Sequence, residues 1–392
     1  MRRVYMDHNA TTPVHPEVLE AMMPFFREHF GNASSIHWAG REVRQYLDEA
    51  REKVAALLHA SPEEIIFTGC GTESDNMAIK GVAFALREKG RHIITTQVEH
   101  HAVLHTCQFL EKAGFRVTYL PVDGEGMIDL EELRRAITEE TILITIMFAN
   151  NETGTIFPVE EIGKMAREKG VTFHTDAVQA VGKVPVDLQQ LPIDLLSLSG
   201  HKLYAPKGIG AQYIRKGTRV TSLIHGGAQE RNWRAGTENI PYIIGLGKAS
   251  EMALRDLPKR RAYLSGLRDR LYRGLSERIP HMKLNGHATH RLPNTLNLSF
   301  LYIEGESLLL NLDLEDIAVS SGSACTSGSL DPSHVLLAMG IPPEIAQSSI
   351  RFSLGWNNTE EDVDYVIEVL PKIVQRLRDI SPLYNKRMGA IK

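Results

Sequence analysis

The sequence predicts an α/β fold, with a large domain built on a mainly parallel seven-stranded sheet and a small α+β domain beside it. Three observations carry this. Between about residues 60 and 215, short β-rich runs alternate with helix-length amphipathic stretches, the pattern of parallel strands joined by helical crossovers. The chain has 392 residues, more than one hydrophobic core usually serves, so two domains are expected. After Pro258 the pattern changes to a mixed order of helices and strands.

The seven runs are Ile65 to Thr68, His92 to Gln97, Arg116 to Leu120, Ile142 to Phe148, Val171 to Thr175, Leu195 to Ser199 and Gly210 to Ile214. Ligands of such sheets bind at the carboxyl ends of the strands. Past Pro258 a helix is expected to begin, with Leu264, Leu267, Leu271 and Leu275 closing one face against a core. A strand at Thr295 to Tyr302 and a helix at Gly305 to Leu312 follow. Next come a helix near His334 to Met339, a strand at Ser349 to Leu354 and a last helix from Glu360 to about Arg378. Residues 15–258 form the expected large domain. Residues 1–14 with 259–392 form the small one, which carries a mobile segment at 320–329.

Composition excludes several classes. Hydrophobic residues are 43% and charged ones 23%, so disorder is not the default. The net charge is −4 and the basic residues form no long block, which argues against a nucleic-acid partner. No apolar run approaches the ~20 residues of a membrane helix. No signal-type segment follows Arg2 and Arg3, so a cytoplasmic location is expected. Cys70, Cys107 and Cys325 are widely spaced and odd in number, which is no disulfide framework. The histidines show no metal-ligand spacing, and no metal site is expected.

Cys325 lies in Ser-Ser-Gly-Ser-Ala-Cys-Thr-Ser-Gly-Ser, residues 320–329, among small polar neighbours. A thiol there has little to pack against, so it is a candidate for chemistry, the alternative being an incidental cysteine in a linker. Lys202 ends Leu195 to Lys202, where a strand turns at Gly200. A desolvated lysine at that edge suits an imine with a carbonyl compound, although lysines after strands are also ordinary surface residues. Asp176 ends Val171 to Asp176, with Gln179 three residues on. A carboxylate there would keep a pyridine nitrogen protonated, as pyridoxal 5'-phosphate (PLP) requires, or it could simply cap a helix.

Gly69 to Ser74 offers a phosphate cup before a helix expected to start near Asp75. It lacks the lysine of a nucleotide loop, and Ser74 stands where a dinucleotide loop would need a third glycine. Cys70 is read here as a small structural residue. His100, in Glu99-His100-His101, could stack on a cofactor ring and move protons, or lie in solvent. Arg351 could grip a substrate carboxylate or serve a structural ion pair.

Taken in order, these stretches closely resemble the PLP-dependent cysteine desulfurases of the class V aminotransferase superfamily, fold type I. The resemblance runs from Tyr5-Met6-Asp7-His8-Asn9-Ala10-Thr11-Thr12-Pro13 through Gly71-Thr72-Glu73-Ser74, Asn150-Asn151-Glu152, His174-Thr175-Asp176 and Gly200-His201-Lys202 to the Cys325 segment. That segment is similar to group I, and Ala149 to Thr155 with Gly200 to Leu203 look closer to the nitrogen-fixation type. The chain ends soon after Ser381-Pro382-Leu383, with no counterpart of the longer housekeeping tail that helps bind the scaffold.

The resemblance implies L-cysteine as substrate, with L-alanine and a persulfide on Cys325 as products, the sulfur going to iron–sulfur cluster assembly. It implies catalytic roles for Cys325, Lys202 and His100. Lys202 would hold PLP as a Schiff base, Asp176 would pair with the ring nitrogen, His100 would stack on the ring, and Gln179 and Asn151 would contact the ring-oxygen side. Gly71, Thr72, Ser199 and His201 would hold the phosphate, joined by Thr237 of a second subunit. Asn151 and Arg351 would bind the substrate carboxylate. A homodimer is implied, together with a scaffold or other sulfur acceptor that could share a cluster bound through Cys325. A selenocysteine lyase or a class V aminotransferase would share most of these residues, and a cofactor-free sulfur-transfer scaffold is the reading from another class. Ala33 replaces the family's usual proline, which should loosen a loop, and Asn232 replaces a common glycine, where asparagine tolerates positive φ.

Overall fold

The computed structural model describes residues 2–321 and 331–387. The expected Cys325 thus lies outside the described residues, as does most of its segment.

Seven strands form the large sheet: β2 (Ile65–Thr68), β3 (His92–Thr96), β4 (Arg116–Leu120), β5 (Thr141–Thr145), β6 (Thr172–Asp176), β7 (Leu195–Ser199) and β8 (Gly210–Ile214). They follow a two-residue strand, β1 (Val4–Tyr5), near the amino terminus. Their order is β2-β8-β7-β6-β5-β3-β4, parallel except that β8 runs antiparallel to both neighbours. Both faces are covered. Ile65 and Phe67 enter one apolar cluster and Ile66 the opposite one, and likewise Ile144 and Ile142 part to opposite faces. Burial on both sides explains why these strands read as continuous apolar runs.

A second, antiparallel sheet is built from β9 (Met282–Asn285), β10 (Thr295–Phe300), β12 (Ser320–Ser321) and β13 (Ser349–Ser353), in the order β12-β13-β10-β9. β11 (Ile317–Ala318) pairs in parallel with β1. This region has its own apolar cluster, in which Val4 and Met6 meet Leu298, Phe300, Phe352 and Val366. The sequence expected neither β9 nor the short helix Pro343–Ala346. Both are short, and only partners across the sheet and the loop packing specify them.

One helix differs from expectation. It does not begin after Pro258 but runs from Ile240 to Ser276 straight through it. Proline removes one donor, orphaning the Leu254 carbonyl. Leu254 is 39% exposed, so water can take that acceptor and the break is avoided. The two halves serve different cores. Ile243, Leu246 and Met252 join the large cluster, and Leu264, Leu267, Leu271 and Leu275 join the small one. Among the described residues no helix is long and apolar enough to cross a membrane.

Candidate active site

The carboxyl ends of β2, β6 and β7 converge on a cavity of about 320 Å³. The phosphate-cup helix starts at Gly71, not near Asp75, so Gly71 and Thr72 occupy its first turn and their N–H groups lack helical acceptors. Cys70 is the residue before it, with an extended backbone. It is exposed and lines the cavity. A Cβ on Gly71 would meet Val178 Cγ2 at 2.8 Å and Ser199 Cβ at 3.4 Å, so only glycine leaves this wall open.

Lys202 follows β7 in a short 3₁₀ turn, Gly200–Lys202, and its Nζ donates to the backbone carbonyls of Asn9 and Ala10. Asp176, at the end of β6, is 8% exposed and accepts from the Val178 N–H at 2.9 Å. Burial pushes its carboxyl up to about 6, opposed by that hydrogen bond and by Lys202. A cationic ring nitrogen in the cavity would pull it down again. Behind it Asp75 is buried, and burial with the charges of Asp176 and Glu99 raises it well above the usual carboxyl range. Glu99 is itself pushed up to about 8, chiefly by burial.

His100 caps the helix His101–Lys112, its Nδ1 accepting from the Ala102 N–H at 3.1 Å. Burial, with Lys202 and three neighbouring histidines, holds the ring down to about 4, so it is neutral at pH 7 with its proton on Nε2. His201 Nδ1 lies 3.1 Å from Thr11 Oγ1, and burial lowers it to about 4. Gln179 donates from Nε2 to the Asn9 carbonyl at 3.0 Å. Arg351 on β13 is 2% exposed, donates to Asp7 at 2.9 Å and to the Asn151 carbonyl at 3.1 Å, and lines the same cavity.

Of the residues read from the sequence, Gly71, Thr72, His100, Asn151, Asp176, Gln179, Ser199, His201, Lys202 and Arg351 all line this cavity. Thr237 does not; it is exposed elsewhere on the surface. Sequence reasoning missed the carbonyls of Asn9 and Ala10, the Asp7 partner of Arg351, and Lys183. Their signal was available in part, since Asp7, Asn9 and Ala10 lie in the amino-terminal stretch that carried the resemblance. The Asn232 expectation holds, with φ at 68°, but Glu230 and Arg231 also take positive φ, at 43° and 54°. Ala33 is buried, 6% exposed.

The donor set fits PLP: an amine for its aldehyde, a buried carboxylate for its ring nitrogen, an imidazole at the wall, and a helix amino terminus with hydroxyls for its phosphate. A fold of this topology with a lysine and an aspartate at adjoining strand ends defines a class of PLP enzymes. The family model for class-V aminotransferases matches residues 4–366, and the chain belongs to that family. PLP is its cofactor.

Relatives narrow the comparison. A protein of Clostridium botulinum named cysteine desulfurase IscS is 57% identical over 389 residues, covering 99% of this chain and 98% of that one. Another of that name, from Methanosarcina thermophila, is 59% identical over 385 residues, 98% and 95% of the two chains. The solved structure of a NifS-like protein matches with a TM-score of 0.91 at 44% identity, over 96% of this chain and all of that one. A structure described as SspA in complex with cysteine matches with a TM-score of 0.80 at 40% identity, over 90% and 98% of the two chains.

Proposed function

We propose that this protein is a cysteine desulfurase that converts L-cysteine to L-alanine and takes up the sulfur as a persulfide on Cys325. The observation that carries the reading is the convergence of Lys202, Asp176, His100 and Arg351 on one cavity at the start of the helix Gly71–Leu86. PLP, when bound, supplies an electron sink that acidifies the substrate Cα–H.

The chain's own residues do the rest. Lys202 Nζ would hold the cofactor aldehyde and, freed by substrate, take the Cα proton. Gly71, Thr72, Ser199 and His201 would hold the phosphate, Asp176 would keep the ring nitrogen protonated, and Gln179 and Asn151 would serve the ring oxygen. Arg351 and Asn151 would hold the substrate carboxylate. His100, at the cavity wall, would donate from Nε2 to the reacting sulfur. The Cys325 thiolate would attack the substrate sulfur: an S–S bond forms, the C–S bond breaks, Cβ gains a proton in place of sulfur, matching the one lost from the Cys325 thiol, and Lys202 returns its proton to Cα to give alanine.

The ends of the segment support this delivery. Ser320 pairs with Arg351 across the small sheet, and Cys325 lies four residues beyond Ser321, a reach of up to roughly 14 Å. After the segment, His334 docks with its Nε2 3.0 Å from the Glu99 carbonyl oxygen, beside His101.

The same reading takes residues 15–258 as the cofactor-binding domain and residues 1–14 with 259–392 as the domain carrying the cysteine. It takes the working form as a cytoplasmic homodimer in which Thr237 completes the partner's phosphate site. The sulfur then passes to an acceptor protein, such as a scaffold for iron–sulfur clusters that shares a cluster through Cys325.

The test is anaerobic addition of L-cysteine to the purified holoenzyme, assaying alanine and thiol-bound sulfane sulfur together. Equal amounts are expected, and Cys325→Ala should abolish both while keeping the visible cofactor band. Alanine without sulfane sulfur, or full turnover in the variant, would refute the assignment; a need for a 2-oxo acid acceptor would make it an aminotransferase.

A further inference from the structure

Lys183 is a half-buried amine that the mechanism above does not use. Its Nζ donates to Gln179 Oε1 at 2.6 Å and to Asn9 Oδ1 at 3.3 Å. It lines a water-sized cavity of about 20 Å³ behind Lys202, walled also by Asn294, Tyr204 and Arg260. Among the described residues it makes no ion pair, and the charged groups acting on it, Lys202 and Arg351, are both cations. Burial and these two cations push its amine well below the usual lysine range. A lysine kept at that cost, where a hydrocarbon would be cheaper to bury, needs a reason.

The reason lies in what it fixes. A glutamine amide presents a carbonyl on one side and N–H groups on the other, and rotation exchanges them. Here both partners remove the choice. Lys183 can donate to Oε1 and the Asn9 carbonyl can only accept from Nε2, so the amide is held one way round. Its second N–H is left for the cavity that Gln179 lines. Asn9 is held too, with its Oδ1 accepting from Lys183 and from Asn294 at 3.1 Å, while its backbone carbonyl accepts from Lys202.

We propose that Lys183 is a positioning residue of the cofactor site, which locks the Gln179 amide with its N–H edge toward the anionic ring oxygen of PLP. With the lysine gone, Oε1 loses its donor and the amide is held only through Nε2 at the Asn9 carbonyl, so the aim of its second N–H at that oxygen loosens. The inference rests on the cofactor reading above and adds to it a polarity for Gln179 and a purpose for Lys183.

The experiment compares wild-type holoenzyme with Lys183→Met, Lys183→Arg, Gln179→Leu and the Lys183→Met/Gln179→Leu double variant. The readouts are the pH midpoint of the visible cofactor band, the rate of cofactor loss and the melting temperature. Lys183→Met should raise the midpoint by about one unit, because the ring oxygen keeps its proton with less help against it, and speed cofactor loss roughly tenfold. Lys183→Arg, which keeps the donors, should restore most of both. In the Gln179→Leu background the Lys183→Met change should add little, since it acts through the amide. An unchanged midpoint with a lowered melting temperature, or effects that add in full, would show a merely structural lysine and overturn the proposal. A wild-type protein that takes up no PLP would overturn the cofactor reading and this inference together, and is recognised by the missing band.

Discussion

Two buried arginines, Arg51 and Arg351, sit against carboxylates in different parts of the molecule and end in opposite states. Arg51 is tied through both terminal nitrogens: it forks onto Glu230 through two bonds of 2.8 Å, donates to the Ile65 carbonyl at 2.7 Å, and lies 4.6 Å from the centre of the Phe67 ring. Glu230 accepts in addition from the Phe67 N–H at 2.9 Å. Arg351 makes a single-ended bond to Asp7, and its Nε finds no partner among the described residues. The first arginine commits both terminal nitrogens to the fold and does not line the candidate site; the second keeps an unpartnered Nε among the described residues and lines it. Geometry of this kind separates an arginine that holds structure from one available to a carboxylate ligand.

The Arg51–Glu230 pair has a strained neighbour to hold. Glu230, Arg231 and Asn232 all take left-handed φ, a conformation costing about 1–3 kcal/mol each for residues with a side chain. Arg231 adds its own bond to the Ile65 carbonyl at 2.7 Å. Strain this local persists only where the surroundings over-determine it, which the Arg51 fork does.

The comparison can be broken at its structural end. Arg51→Met leaves Glu230 buried without its cation and should cost about 3–5 kcal/mol, read as a lower urea midpoint, with cofactor spectrum unchanged in the protein that remains folded. A loss below about 1 kcal/mol would mean that the fork is not what holds the strained turn. At the functional end, Arg351→Lys keeps a charge toward Asp7 but loses the planar fork. Its expected loss is roughly 10- to 100-fold in kcat/KM for L-cysteine, mostly in KM, with a melting temperature near that of the parent. Equal kinetics would return Arg351 to the structural class.

A pH-dependent effect comes from a buried group with no cation beside it among the described residues. Glu99 accepts from Thr96 at 2.8 Å and from the Met147 N–H at 3.0 Å, and its other oxygen has no partner among the described residues. Its folded pKa, raised to about 8 by burial, exceeds its ordinary value of 4.5. The folded state therefore binds that proton more tightly than the unfolded one. The associated stability is present in full below pH 4.5 and is lost as the pH rises through 8. Glu99→Gln should thus gain stability relative to the parent between pH 5 and pH 8.5, by roughly 4 kcal/mol for a shift of this size, measured as a difference in urea midpoints at the two pH values. A gain that is the same at both would show that Glu99 stays ionised in the fold.

Much of this was legible in the chain. The seven strands were visible because a parallel sheet buries both faces and so leaves apolar runs in the sequence. Lys202 and Asp176 were visible because a strand end followed by a turn is where such sheets bind ligands. The helix start at Gly71 was misjudged by several residues, since the cup residues also satisfy helix geometry. The passage of Ile240–Ser276 through Pro258 was illegible for a different reason: it depends on where one carbonyl meets water.

The sequence by itself determined the sheet, the glycines of the cup and the residue types that make PLP chemistry feasible, because period, turn chemistry and strand ends are local properties. Only the tertiary structure decided which arginine forks onto a carboxylate, that Asn9 and Ala10 receive Lys202, and that Lys183 donates to the amide of Gln179. Asn9 lies 174 positions before Lys183 and 193 before Lys202. Contacts over such separations are set by the packing of one sheet against another, and no local pattern encodes them.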